Sequence, residues 1–254
     1  MAIIALKAWY LEQYEPAKEL EKRPQDLRLS RNSLLKAGLR ADFLDDSEEV
    51  RQSDWFQRYL SGEAVEFYIE GSGTYTISNI DLLSHEMYFA KQESLVQSDP
   101  AIFFCYQNEY PESSALLRES LESLLEKVNQ RSRLALSLEE SNRSGEGALR
   151  RNSPLMRKLR KSLIFVADGT SVAQLEGTPP PLLPSANVCV ELGYALQCKR
   201  PEQIILARQE RDDLSGHFPF EIPSEQQIVF HNKTDLNSQL KTKIEAQLKR
   251  YSLI

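Results

Sequence analysis

The chain lacks the features that would point to metal or disulfide chemistry. Its 254 residues include only three cysteines and three histidines. The cysteines form no C-x-x-C pair, and neither the cysteines nor the histidines show a spacing typical of metal ligands. The cysteines are odd in number and lie in or beside apolar segments. We therefore predict reduced core thiols and no bound metal.

Long apolar runs and an excess of positive charge are also missing. No apolar stretch approaches the ~20 residues that cross a bilayer. The first residues, MAIIALKAWYLEQYEP, have neither the basic region nor the small-residue cleavage site of a secretory signal. A net charge of −6 argues against binding to bulk nucleic acid. We expect a cytoplasmic protein that binds neither membranes nor nucleic acids.

The pattern of apolar residues changes near residue 98 and predicts two domains, residues 1–97 and 98–254. In the first domain, two alternating runs flank the glycines of EGSGTY and predict a β-hairpin. Apolar residues three or four apart predict helices over residues 5–20, 31–39 and 53–60, and another helix is predicted over 81–91. This mixture predicts a small α+β module whose role the sequence does not identify.

In the second domain, continuous apolar runs alternate with helical patterns. Strands are predicted over residues 101–106, 134–138, 163–167, 203–207 and 227–230, and helices over 113–128, 155–161, 187–198 and 235–251. The proline-rich segment 169–185 is predicted to be a stiff, extended crossing segment. Strands that alternate with helices predict an α/β fold, with a parallel, doubly wound sheet covered by helices on both faces.

One carboxylate stands out within this pattern. The strand SLIFVAD is followed by the helical segment NVCVELGYAL, in which Glu191 adjoins the apolar face of Val188, Leu192 and Ala195. A carboxylate in such surroundings costs free energy unless it is paired, hydrogen-bonded or used in chemistry. Beyond the carboxyl end of a parallel strand it would face the crevice where α/β sheets bind ligands. A structural glutamate that caps a neighbouring loop is the alternative.

Four segments together resemble a known family. They are AIFFCYQNEYP, the helix SSALLRESLESLLEKV, LIFVADGTS with SANVCVELGYAL, and EQIILARQE with FPFEI downstream. In order and spacing they resemble the bacterial TIR-like nucleotide-binding domains, close to the Toll/interleukin-1 receptor fold, over about residues 100–232. The resemblance implies a flavodoxin/TIR-like sheet, and it leaves the N-terminal module unassigned.

The resemblance also implies an activity, which is cleavage of the N-glycosidic bond of NAD or a related nucleotide. NAD is then a substrate, and no cofactor is required. Glu191 becomes the catalytic candidate. Substrate contacts are implied for a further set of residues: Tyr106, Gln107, Arg143, Asp168 and Asn187.

Several of these positions have alternatives that remain open. Asp168 either binds ribose hydroxyls or closes its loop, Tyr106 either lines the crevice or packs, and Asn187 either contacts the ligand or caps its helix. Arg143, with Arg150 and Arg151, either binds a pyrophosphate or lies on a solvated loop.

Four functions follow from the sequence. The first is the NAD-type glycohydrolase, active as a homo-oligomer through the TIR-like domain. The alternatives are a module that senses a nucleotide without cleaving it, a TIR-type scaffold, and a nucleoside 2-deoxyribosyltransferase.

Overall fold

A computed structural model describes residues 5–31, 40–92, 96, 98–141, 154–219 and 222–254. The chain divides into two compact units, Met1–Gln97 and Ser98–Ile254. Most of the helix predicted over 31–39, and most of the loop predicted over 139–154, lie outside the described residues.

The first unit is built around an antiparallel sheet with the strand order β2-β1-β4-β5-β6-β3. Its strands are β1 (Ala5–Tyr10), β2 (Leu27–Ser30), β3 (Arg40–Asp42), β4 (Glu66–Ile69), β5 (Gly73–Asp81) and β6 (Glu86–Gln92). Its helices are α1 (Ala17–Leu20), α2 (Ser47–Gln52) and α3 (Asp54–Leu60). An antiparallel bridge between Leu29 and Phe43 connects the two outer strands, so the sheet closes into a barrel.

Two of the helix predictions for this unit are wrong. Residues 5–10 form β1, which pairs on one side with β2 and on the other with β4. Residues 86–92 form β6, because the Asp81 carboxylate accepts bonds from the amides of Leu83 and Ser84 and turns the chain back along β5. The helix predicted over 53–60 and the hairpin β4–β5 are confirmed.

The second unit contains a parallel sheet of five strands within the described residues, in the order β8-β7-β9-β12-β13. These are β7 (Asp99–Cys105), β8 (Ser137–Glu140), β9 (Ser162–Asp168), β12 (Ile204–Gln209) and β13 (Gln227–Phe230). Its helices are α4 (Pro111–Asn129), α5 (Pro154–Lys161), α6 (Ala186–Cys198) and α7 (Lys233–Arg250). The predicted α/β class with a parallel sheet is therefore confirmed.

Side-chain alternation along the strands divides the helices between the two faces of this sheet. Phe103, Phe165 and Leu206 share one core cluster with Met156 of α5 and Leu192 of α6. Intervening residues of the same strands point to the other face, where α4 contacts β9 and packs against α7. Helices α5 and α6 thus cover one face, and α4 and α7 the other.

The strand order places a topological switch point at one edge of the sheet. Strand β7 is first in the unit, and its two neighbours, β8 and β9, lie on opposite sides of it. In open α/β sheets, ligands bind outside the carboxyl ends of the strands at such a point. The residues that follow β7 and β9 are therefore the first place to look for a site.

Two further predictions differ from the structure. The strand predicted over 134–138 lies at Ser137–Glu140. The segment 169–185 is not one extended crossing, because β10 (Ser171–Gln174) and β11 (Leu182–Pro184) pair antiparallel within it. Among the described residues, no helix has both the length and the apolarity to cross a membrane.

We expect Phe165→Ala to lower the free energy of unfolding of the second unit by about 3–5 kcal/mol. Phe165 is fully buried, and its ring stacks on that of Phe103 with the centroids 6.1 Å apart. Urea denaturation measures the effect. Leu196→Ala is the control, since this side chain is 49% exposed and its loss should cost no more than about 0.5 kcal/mol. Equal losses in the two variants would contradict the assigned core.

Candidate functional site

A buried hydrogen-bond network centred on Asp168 organises the carboxyl edge of the sheet. Asp168 ends β9 and is fully buried. Its Oδ2 accepts bonds from the hydroxyls of Ser113 at 2.5 Å and Ser114 at 2.6 Å, both in α4. Its Oδ1 accepts a bond from the amide of Thr170 at 3.0 Å. The carboxylate therefore ties the end of β9 to the first turns of α4.

Burial raises the pKa of Asp168, because the folded chain removes the charged carboxylate from water. The hydrogen bonds from Ser113, Ser114 and Thr170 act in the opposite direction, since they favour the charged form. They do not cancel the effect of burial. With its bonds committed to α4 and to its own loop, Asp168 has the geometry of the loop-closing alternative.

Gln107 belongs to the same network and has one unused acceptor. Its backbone amide donates to Ser114 Oγ, and its side-chain Nε2 donates to the carbonyl of Thr170, each at 2.9 Å. This second bond fixes the amide orientation, because a carbonyl can only accept. The residue is 1% exposed, and its Oε1 has no hydrogen-bond partner among the described residues. The site thus presents a buried acceptor to any donor that reaches it.

Glu191 lies on the other face of the sheet. It is fully buried on α6, in the turn between Val188 and Leu192, which pack into the core shared with α5. Ser185 precedes this helix, and its hydroxyl donates to Glu109 Oε1 at 3.0 Å. Because Glu109 follows β7, this bond places the start of α6 at the same carboxyl edge. Glu191 is five residues further on, or about 8 Å along the helix axis.

Asn187 does not cap its helix, so that alternative is wrong. Helix α6 begins at Ala186, and Ser185 is the capping position, where no side chain bonds the free amides. Asn187 instead lies in the first turn and is half-buried. The cap lies two residues earlier because the backbone of Ser185 is still extended after the β11 strand.

Tyr106 lies apart from the Asp168 network. Its ring is 5.2 Å from the guanidinium carbon of Arg118 on α4, which also forms an ion pair with Glu140 at 2.5 Å. These residues line a cleft of about 460 Å³ along the edge strand β8, together with Lys158. The structure therefore brings together only some of the residues that the resemblance assigns to one crevice. Gln107 and Asp168 share hydrogen-bond partners, whereas Tyr106 lines a separate cleft.

Arg143, Arg150 and Arg151 lie outside the described residues, so their roles stay predictions. In the part of the chain that the structure describes, no group of three metal-binding side chains comes together.

Sequence reasoning missed two features of this edge. One is the serine pair Ser113 and Ser114, for which the only signal was the polar PESS at the start of an otherwise apolar helix. The other is Arg211, whose guanidinium lies 4.4 Å from the ring centroid of Tyr110 and donates to the carbonyl of Ser171 at 3.0 Å. Arg211 thereby connects the loops that follow β7, β9 and β12.

Asp168→Asn should remove a dependence of stability on pH. A carboxyl whose pKa is raised by folding stabilises the native state at pH values below its pKa in the unfolded chain. This contribution is lost as the pH rises through its pKa in the native state. Relative to the variant, the wild type should therefore lose stability from about pH 4 upwards. Chemical denaturation at a series of pH values tests this, with the exposed Asp212→Asn as the control. A difference that grows with pH in favour of the wild type would contradict the assigned direction.

Comparison with known proteins adds no assignment to this geometry. No protein-family model matches the chain, and no curated protein matches it at a significant level. A functional proposal therefore rests on the residues described above and on the resemblance of the four segments.

Proposed function

We propose that the second unit is a TIR-like nucleotide hydrolase that cleaves the N-glycosidic bond of NAD or a related nucleotide, with Glu191 as the catalytic carboxylate. The observation that carries the proposal is the complete burial of this carboxylate on the helix that follows the third strand of the sheet. A fully buried carboxylate is a functional-site candidate, since its burial is costly without a use.

The order of the strands supports the finer fold assignment. In chain order within the unit, the sheet runs 2-1-3-4-5, which is the flavodoxin-like order of doubly wound sheets. A TIR-like domain belongs to the same broad architecture. Helix α6 then occupies the position at which the family resemblance places its glutamate.

Gln107 provides a second supporting contact. The Oε1 atom of this buried side chain requires a donor, and the carboxamide of nicotinamide and the ribose hydroxyls are both donors. In this proposal Gln107 binds and orients the substrate. Asp168 holds the α4 end of the network in place through the serine hydroxyls and makes no substrate contact.

The chemistry needs a carboxylate beside the anomeric carbon. The bond between C1′ and the pyridinium nitrogen breaks, and its electron pair leaves with nicotinamide. The ribose becomes oxocarbenium-like, and Glu191 stabilises this positive charge or attacks C1′. Water then adds to C1′ with loss of a proton and gives ADP-ribose. Because Glu191 is fully buried, this reaction requires a movement that opens a path to its carboxylate.

The same burial favours a second candidate function, nucleotide sensing without cleavage. A carboxylate that stays enclosed in the bound state would stabilise the fold and would perform no chemistry. Both candidates place the protein in the cytoplasm, and self-assembly through the TIR-like unit is part of the first.

Nicotinamide release from NAD separates the two. We expect the wild type at high protein concentration to release nicotinamide, which chromatography measures. Glu191→Gln should lower the rate of release by roughly 100-fold or more. The glutamine keeps the volume of the side chain and removes its charge. Glu176→Gln is the matched control, because Glu176 is exposed and should be replaceable without loss.

Four outcomes are distinguishable. Release by the wild type and the control alone supports the hydrolase. A thermal shift with NAD or ADP-ribose, without any nicotinamide, supports the sensor. Equal release by wild type and Glu191→Gln would exclude Glu191 from the chemistry, and base exchange between nucleosides would indicate deoxyribosyl transfer instead.

A further inference from the structure

A small cleft at the carboxyl end of β12 is separate from the features used above for catalysis. The cleft, called here the β12 cleft, has a volume of about 250 Å³. Its lining includes Arg208, Gln209, Glu210, Arg211, Asp212 and His231. Drug-sized ligands occupy pockets of roughly 300–1,000 Å³, so this cleft is sized for a fragment such as one sugar and its substituent.

Arg208 supplies an unmatched donor to the cleft. Its guanidinium carbon lies 5.5 Å from the ring centroid of Phe218, so the aromatic ring covers one side of the planar group. Its Nε is buried and has no hydrogen-bond partner among the described residues. A buried guanidinium N–H left without an acceptor is costly. An anionic oxygen is the acceptor that matches it best, because the guanidinium fork fits phosphate and carboxylate groups.

Gln209 supplies the complementary acceptor. Its Oε1 is also buried and also has no hydrogen-bond partner within the described ranges. Its backbone amide is already used, since it donates to Thr170 Oγ1 at 2.9 Å. Successive side chains of a strand point to opposite faces, so only a group seated across the end of β12 reaches both Arg208 and Gln209. Such a group must carry an anionic oxygen on one side and a donor on the other.

Two of the other polar groups of the cleft have side-chain partners, and Asp212 adds an exposed carboxylate to its lining. His231 Nε2 lies 2.5 Å from Glu210 Oε2. Arg211 is paired with Asp213, with its Nη2 2.5 Å from Oδ2. With Arg211 paired, the Nε of Arg208 is the arginine donor of the cleft that has no partner among the described residues. The carboxylate of Glu210 beside it suits hydroxyl donors, as acidic residues bind ribose hydroxyls in nucleotide sites.

The wall of the cleft is held in place by the β10–β11 pair. The amide of Ser215 donates to Gln174 Oε1 at 3.2 Å, and the amide of His217 donates to the carbonyl of Pro180 at 3.0 Å. Gly216 lies between them so close to Pro180 that a Cβ atom would clash with its carbonyl oxygen. The cleft is therefore preorganised, and a ligand would bind without first ordering this loop.

We propose that the β12 cleft is a binding site for a phosphorylated ribose, with the phosphate on Arg208 and a hydroxyl donating to Gln209 Oε1. The proposal stands on the contacts of this cleft alone and does not depend on hydrolysis at Glu191. A free sugar phosphate and the ribose phosphate of a nucleotide share this chemistry.

Titration calorimetry on the full chain tests the proposal with three probes: inorganic phosphate, ribose 5-phosphate and AMP. We expect the wild type to bind ribose 5-phosphate saturably and more tightly than inorganic phosphate. Arg208→Ala should weaken this binding at least about 10-fold, the effect of losing a contact worth 1.4 kcal/mol. Arg208→Lys keeps the charge but loses the planar fork, and should recover only part of the affinity. Tighter binding of AMP would identify a nucleotide as the source.

Two variants make the result interpretable. Arg157→Ala removes an exposed arginine of α5 and should bind ribose 5-phosphate like the wild type. Glu191→Gln is measured with the same probes, and loss of nicotinamide release without loss of sugar-phosphate binding would show that the two sites are independent. If Arg208→Ala fails to fold, Arg208→Lys carries the comparison.

Several outcomes would overturn the proposal. One is the absence of binding by all three probes. Another is undiminished binding in folded Arg208→Ala. Equal affinity for inorganic phosphate and ribose 5-phosphate would show that the ribose contributes nothing to binding and that the cleft is a simple anion site.

Discussion

The carboxyl edge of the parallel sheet depends on one buried charge, the carboxylate of Asp168. It is fully buried and collects hydrogen bonds from Ser113, Ser114 and Thr170, which belong to two different segments of the chain. A buried carboxylate without such partners would be strongly unfavourable. The same constraint orients Gln107 through Ser114 and Thr170. The loops after β7 and β9 therefore have a defined geometry at the switch point.

The two proposed functions involve the carboxyl ends of two different strands of this sheet. The hydrolase proposal concerns the helix that follows β9. Glu191 is fully buried on this helix, α6, whose apolar residues pack with α5 against one face of the sheet. The sugar-phosphate proposal concerns the end of β12, where Arg208 and Gln209 present buried polar atoms of opposite kind. Arg211 contacts the loops after β7 and β9 from the β12 side.

The sequence predicted the second unit better than the first, for a physical reason. Strands such as β7 and β9 are buried on both faces, so they appear as continuous apolar runs. In the barrel, β1 and β6 are partly exposed, and their apolar residues also fit a helical spacing. The Asp168 network was not predictable, because its partners lie 54 and 55 residues away in the sequence. The TIR-like resemblance itself stays a prediction.

The closed sheet of the first unit also limits how that unit can recognise other proteins. The antiparallel bridge between Leu29 and Phe43 joins the two outermost described strands, so only part of each outer edge is left to present free amides and carbonyls. Recognition by β-augmentation, in which a partner peptide adds a strand, needs such a free edge. Over the described residues, a partner strand therefore has little free edge to pair with, which favours recognition by side chains and loops.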